Sequence, residues 1–426
     1  MKNNKRIYLC SIIYKILIDI LYAKGTSVKF AYLNRTLDFN LDKYILGWIV
    51  FIILLILINK IKKDDYRFMM KSIFMLSGVS NLSIFGLRNY DYSYFGIILI
   101  FWLLIVNLCI LISNNKKKDE IETDNNLVIK DLTLNKLNTF LMIVGILITV
   151  YLVGKFGMNV TSLSTLYKAR EYFRTFNLST IDSYLISWNA TVILPWIFLI
   201  SFANKKYFRS IIVLFFALLL FQINGMKTWL LLYAIVVFFV TYTKKHDLDS
   251  TINAVLIGMS CLMLFSLLLF KINGSYDLLA LLDRTVILPG EINYYYIDFF
   301  NNHELLYLRE SIFKSFSPSP YDPISSVQIS MNYMTNAYYH NATNGLVGDI
   351  YGNFGFIGIL IYPFMILLAF KQLVKICSKY SITIKSVILF ILMWMLINTS
   401  FFTWIMTGGY LIYIIILRLN KRIYLK

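Results

Sequence analysis

The stretch YFGIILIFWLLIVNLCILIS at residues 94–113 runs for 20 residues without a charge and gives way to Lys116-Lys117-Lys118. An α-helix rises about 1.5 Å per residue, so about 20 apolar residues cross the ~30 Å hydrocarbon core of a bilayer. A helix also satisfies every backbone N–H and C=O within itself, as a segment surrounded by lipid must. The lysines that follow mark the end of such a span that stays in the cytoplasm.

Outward from this stretch the same unit recurs. Candidate spans lie at about 7–23, 44–59, 69–87, 94–113, 138–154, 183–202, 207–223, 226–243, 251–270, 346–370, 384–402 and 404–418. The third and the last are the weakest. Of the 426 residues, 58% are hydrophobic and 15% charged, against about 45–50% and about 25% in soluble domains. One soluble core cannot absorb that surface. The expected fold is an all-α polytopic membrane protein with about twelve transmembrane helices.

Direction follows from the basic residues. Lys2, Lys5 and Arg6 precede the first span, and the even-numbered connections carry Lys60-Ile61-Lys62-Lys63, Lys116-Lys117-Lys118, Lys205-Lys206 with Arg209, Lys244-Lys245, and Lys371 to Lys385. The tail holds Arg418, Lys421, Arg422 and Lys426. All fit one alternation with both termini cytoplasmic. The excess of 41 Lys+Arg over 23 Asp+Glu is then mostly a topology signal, and nucleic acid is not expected as a partner.

The first apolar segment contains Lys15 and Asp19 and resembles a spanning helix more than a cleaved signal peptide. The four cysteines each lie in or beside an apolar run, with no CxxC pair, so neither a disulfide framework nor a zinc site is expected. No internal repeat of the kind found in two-half transporters is detectable.

The chain thus organises as 1–270, nine helices with short loops; 271–345, one large loop on the non-cytoplasmic side; and 346–426, three helices and a tail. The stretch 114–137 reads as a solvated linker. Long loops without spans are usually functional. Within the large one, Ile287, Leu288, Ile292, Tyr295, Tyr296 and Phe299 recur at helical spacing, which predicts an amphipathic helix at the membrane surface.

The non-cytoplasmic face also carries basic residues that the topology rule disfavours: Lys168, Arg170 and Arg174 in loop 155–182, Lys227 at the mouth of the eighth span, and Arg284 and Arg309 in the large loop. A guanidinium suits phosphate, because it donates two charge-assisted hydrogen bonds at once. The bland readings are pairing of Arg170 and Arg174 with Glu171 or lipid headgroups, of Arg284 with Asp283 or Glu291, and of Arg309 with Glu304 or Glu310. Lys227 would snorkel to the interface. His340 is the candidate base near the tenth span, since imidazole titrates near neutrality. His303 lies in the same loop, and His246 reads as inert. Asp349, in GDIYGNFGFIG at 348–358, is an acid near a span entry, and Gly352, Gly355 and Gly358 suit close helix packing. Asp38 and Asp42 form a carboxylate pair in the first outer loop.

This layout resembles the O-antigen polymerases (Wzy type), bacterial membrane enzymes that link oligosaccharide repeat units. Locally the resemblance rests on Asn224-Gly225-Met226-Lys227-Thr228, on Arg284 through Tyr296, and on Gly348-Asp349-Ile350-Tyr351-Gly352-Asn353-Phe354-Gly355. His340-Asn341 before Gly355-Phe356-Ile357-Gly358 also looks similar to the pattern of the related O-antigen ligases. Those ligases usually carry Arg where this chain has Lys227, a departure. The resemblance implies inverting, metal-independent glycosyl transfer without a cofactor, on the periplasmic face of the inner membrane. Donor and acceptor would be undecaprenyl-pyrophosphate-linked oligosaccharides, and a chain-length regulator would be a candidate partner. Arg170, Arg174, Lys227, Arg309 and Arg284 would face the pyrophosphate, His340 would be the base, and Asp349 a second choice. Other readings are another lipid-linked-sugar glycosyltransferase using Asp38 and Asp42, an O-antigen ligase, or a flippase.

Overall fold

The computed structural model describes residues 2–114, 136–160, 166–176, 178–311, 313–314, 316–322, 324–325, 328 and 345–424. Among these, the regular elements are helices. They are α1 (Lys2–Leu21), α2 (Leu41–Asn59), α3 (Asp64–Leu87), α4 (Tyr92–Asn114), α5 (Lys136–Phe156), α6 (Leu166–Arg174), α7 (Thr180–Ala203) and α8 (Tyr207–Asn224). There follow α9 (Lys227–Tyr242), α10 (Leu248–Asn273), α11 (Asp277–Leu282), α12 (Leu288–Asn302), α13 (Leu346–Cys377), α14 (Ile382–Asn398), α15 (Phe401–Met406) and α16 (Tyr410–Tyr424).

The expected spans fall on helix, the last two of them interrupted at residues 399–400 and 407–409. Nine helices among the described residues are long and apolar enough to cross a membrane, with Phe401–Asn420, from α15 into α16, taken as one. The other three depart for visible reasons: α9 and α14 have 16 and 17 residues, and α1 carries Lys15 and Asp19 in its apolar stretch.

The chain forms two compact units. The first comprises residues 1–119, 248–374 and 393–403; the second comprises 120–247, 375–392 and 404–426.

In the first unit α3 is the central helix. Its apolar window is 94% buried, against 39% for α2 and α4 and 22% for α10. That burial explains why α3 reads weakly as a span. Ser72, Ser77, Ser80, Asn81 and Ser83 are all buried, so they face protein rather than lipid. In lipid, helices associate through close packing of small residues and interhelical hydrogen bonds, because lipid tails are as apolar as leucine. α2 and α3 use the first of these. Any side chain at Gly47 would strike the carbonyl of Leu82, and one at Gly86 would strike the backbone of Tyr44.

Lys15 in α1 is fully buried and donates to Asp19 and to Ser83 Oγ, each at 3.1 Å, while Tyr44 donates to Asp19 at 2.8 Å. The ring of Trp48 lies 4.3 Å from the Lys15 ammonium. Both charges of the segment are therefore paired inside the bundle.

The helical run in the large loop differs from the expectation of a surface helix. α11, a π turn at Asp283–Ile287 and α12 follow one another without interruption, and from Val286 to Phe300 every residue but Asp298 is buried. The helical spacing of apolar residues is present, but the remaining faces are covered too. Gly290 sits so close to Ser80 and Asn81 that no side chain fits there. Asn81 donates to the Gly290 carbonyl at 2.6 Å and accepts from Trp102 at 3.2 Å, and Tyr294 donates to the Asn81 carbonyl at 2.9 Å. The helix is an internal part of the unit.

α13 is broken at Gly355, whose φ of 57° and ψ of −144° lie far from helical values. A break orphans carbonyls of the preceding turn. Two of them, on Gly352 and Asn353, accept from Leu306 N at 2.9 Å and Tyr307 N at 3.2 Å, and the Asn353 side chain accepts from Leu308 N at 2.9 Å. Tyr307 and Leu308 take positive φ of 48° and 64° to reach them. Of the glycines expected to serve packing, Gly352 lies against the Phe300 ring, while Gly355 instead makes the break.

The second unit is held by similar polar clasps. Asn189, in a π turn of α7, donates to the Gly145 carbonyl at 3.0 Å and to Thr149 at 2.8 Å. Lys155 meets Asp182 at 2.7 Å, with Ser179 and Tyr151 donating to the same carboxylate.

Candidate functional site

The chain leaving α1 passes through a π turn at Tyr22–Thr26 and a left-handed Asn34 (φ 55°). It then runs extended along the end of α3, with Asp38 N donating to Leu87 O at 3.0 Å and Asn40 N to Gly86 O at 2.9 Å. Asn40 caps α2 by accepting from Lys43 N at 3.1 Å. This strap holds Arg35 beside Arg88, the residue that ends α3. Arg88 donates to the Asn34 carbonyl at 2.6 Å.

Opposite these guanidiniums lie Asp283 and Glu291. Arg35 donates to Asp283 through both terminal nitrogens, at 2.7 and 2.9 Å, and to Glu291 through Nε at 2.8 Å. Arg88 donates to Glu291 at 2.7 Å. Tyr295 adds a bond to Glu291 at 2.8 Å, and Thr26 one to Asp283 at 2.9 Å. Arg35 is 2% exposed and Glu291 fully buried.

The π turn makes this convergence possible. Residues eight apart on a regular α-helix sit about 80° apart around the axis. A π turn absorbs one extra residue, so positions 283 and 291 behave like residues seven apart, about 20° from one line. Both carboxylates therefore face one guanidinium.

Burial alone would favour the neutral forms. For Arg35 the charges of Asp283 and Glu291 outweigh it and hold the guanidinium well above its ordinary pKa. Arg88 is raised as well. For Glu291, burial pushes the carboxyl up, but Arg35 and Arg88 prevail and hold it below the usual value. Two guanidiniums face two carboxylates, so the buried quartet is neutral. Its chemistry is to lock the strap, the end of α3 and the helix of the large loop together, not to gather an anion.

The expected residues are placed as follows. Arg284 lies on the π turn itself, next to Asp283, and is exposed; of the two carboxylates the sequence offers it, Asp283 accepts from Arg35, and Glu291 from Arg35 and Arg88. Arg309 pairs with Glu304 at 2.6 Å and donates to the carbonyls of Leu306 and Leu305, the local pairing its neighbours suggested. Asp349 is buried, accepting from Phe401 N and from the Asn353 side chain, each at 3.3 Å; it sits at the start of α15. His303 stacks on Phe299, ring centroids 4.0 Å apart. Asp38 accepts from Asn89 at 3.3 Å.

In the second unit Arg170 donates to the Gly225 carbonyl at 2.8 Å, which brings it to the turn that carries the exposed Lys227. Arg174 ends the same helix as Arg170; its side chain lies outside the described residues, as does the whole of His340 with Asn341. Among the described residues no group of three or more His, Cys, Asp or Glu is placed to hold a metal ion.

Arg35 and Arg88 were not singled out by sequence. A signal existed: both stand in loops assigned to the non-cytoplasmic side, where the topology rule disfavours basic residues. No family model, no curated protein and no solved structure matches the chain.

Proposed function

We infer that the chain is a membrane glycosyltransferase that joins lipid-linked oligosaccharide units on the side of the membrane away from the cytoplasm. The observation that carries the reading is the setting of Arg284. It stands exposed on the π turn that leads into α12, a helix buried from Leu288 to Phe300 but for Asp298 and fixed by the Arg35–Arg88 network. Departure of a pyrophosphate leaving group develops negative charge, and a fixed cation at that point stabilises the transition state more than a mobile one. Arg170, which donates to the Gly225 carbonyl, and Lys227, two residues further along the chain, are further candidate cations. His340 is the proposed base toward the acceptor hydroxyl, and the substrates are undecaprenyl-pyrophosphate-linked oligosaccharides of a bacterial inner membrane, consistent with the resemblance to the O-antigen polymerases.

The test is deletion of the gene in its host, with surface glycan resolved on gels, followed by complementation. Loss of the long ladder with single-unit caps retained, restored by the wild-type gene but not by Arg284→Ala, supports the reading. Complete loss of surface units would point to a flippase or an earlier transferase, and a normal ladder with Arg284→Ala would remove Arg284 from the reaction.

A further inference from the structure

We propose that Arg35 is a positioning residue: through Asp283 and Glu291 it fixes the register of the π turn at Asp283–Ile287 and so the direction in which Arg284 is presented. The inference rests on the reading of Arg284 as the cation that faces the leaving group.

The geometry is specific to a fork. Arg35 donates to Asp283 by both terminal nitrogens and to Glu291 by Nε, so it bridges the two ends of the segment that contains the π turn. If the turn relaxed to regular α-helix, its extra residue would have to move elsewhere. Asp283 and Glu291 would separate from about 20° to about 80° around the axis, and one guanidinium would no longer span both. Arg284, next in sequence to Asp283, would rotate with it.

Further contacts hold the same segment. Thr26, itself in the π turn after α1, donates to Asp283 at 2.9 Å. Ser77, in the π turn of α3, donates to the Pro289 carbonyl at 3.4 Å. Three π turns from distant parts of the sequence thus meet at this segment. Lysine cannot replace the fork, because a single ammonium is a point donor that does not reproduce planar two-sided contacts.

The test uses the full-length chain, purified in lipid nanodiscs, with lipid-linked repeat units as substrate. Arg35→Lys is expected to lower kcat about tenfold, since part of a preorganised electrostatic contribution is lost when its donor is misaligned, with KM changed less than about twofold. The Arg35→Lys/Arg284→Ala double variant is expected to be no slower than Arg284→Ala alone, because Arg35 acts through Arg284. Multiplying losses in the double variant, or a wild-type kcat in Arg35→Lys, would overturn the proposal.

A second measurement does not depend on the reaction. Hydrogen exchange of amides 283–288 is expected to accelerate in Arg35→Lys while amides of α2 stay at wild-type rates. Unchanged exchange at 283–288 would refute the positioning role even if activity fell. Faster exchange there, with an Arg284→Ala enzyme of full activity, would leave the positioning role standing and refute the reading of Arg284 instead.

Discussion

Replacing Glu291 by Gln tests the buried quartet most directly. The carboxylate accepts from Arg35 Nε at 2.8 Å, Arg88 at 2.7 Å and Tyr295 at 2.8 Å, and is fully buried. A carboxamide has one accepting oxygen, so it serves either the Arg35 side or the Arg88 side. Its NH2 group then points a donor at the other guanidinium. The quartet, neutral in the wild type, acquires one uncompensated positive charge. Breaking a buried pair by removing one partner costs about 3–5 kcal/mol, most of it the isolation of the remaining charge, so Glu291→Gln is expected to lose about that much. The assay is equilibrium unfolding of the purified chain in mixed micelles of increasing SDS fraction, followed by tryptophan fluorescence. Adding Arg88→Met removes the surplus charge and leaves Arg35 with Asp283, so the double variant should regain about 1–3 kcal/mol over Glu291→Gln alone. A cost below about 1 kcal/mol for Glu291→Gln, or a double variant as unstable as the sum of the singles, would refute the account of a charge-balanced lock.

Acidification should act on the same group. Its carboxyl is held below the unfolded value of 4.5, so its contribution is complete above that value and is lost as pH falls through the lower folded value; unfolding midpoints should be less pH-sensitive in Glu291→Gln below pH 4.5. Gly290→Ala would bring a Cβ to 2.7 Å from the backbone nitrogen of Asn81, and should cost about 3 kcal/mol or more. Gly258→Ala, where nothing lies within 4 Å, should be neutral or stabilising by up to about 1 kcal/mol; equal unfolding curves for the two variants would contradict the packing of α12 on α3. Lys15→Met leaves the Asp19 carboxylate with Tyr44 and no cation, at a cost of about 3–5 kcal/mol, and Lys15→Met/Asp19→Leu should recover much of it; failure of the double variant to exceed the single in the same titration would count against a paired α1.

The helices were legible because lipid imposes a one-dimensional rule: length and apolarity of a segment decide whether it crosses. Residues 94–113 satisfy that rule without knowledge of any neighbour. The rule weakens where a helix is surrounded by protein. In α3, Ser72, Ser77, Ser80, Asn81 and Ser83 lower the hydropathy because each has a protein neighbour, so the most buried helix gives one of the weakest signals. The helix at Leu288–Asn302 fails in the opposite sense. Its apolar spacing is correct, but a stripe of apolar residues cannot tell whether Asn293 and Glu291, off that stripe, meet water or a partner. Here Asn293 accepts from Gly348 N at 2.7 Å and Glu291 meets two arginines.

The same limit explains which basic residues were found. Arg284 and Arg309 attract notice by lying in the longest loop, and for Arg309 the nearby acid Glu304 is its partner in space. Arg35 and Arg88 lie in short connections, and their partners are 203 to 256 residues away. Local charge patterning carries no information over that separation. What the sequence does hold is the spacing itself. Asp283 and Glu291, eight apart, point in different directions on a regular helix, so a single cation can serve both only where the helix takes in one extra residue. Two buried acids at an off-face spacing, with Pro289 and Gly290 between them, therefore constitute a local prediction of a π turn once the arginine is known. Arg284 lies exposed on such a turn, and the turn is held by the bonds of Asp283 and Glu291 to Arg35. That is why, if Arg284 is the cation of the proposed reaction, replacing Arg35, which is buried at 2% exposure, should alter that reaction.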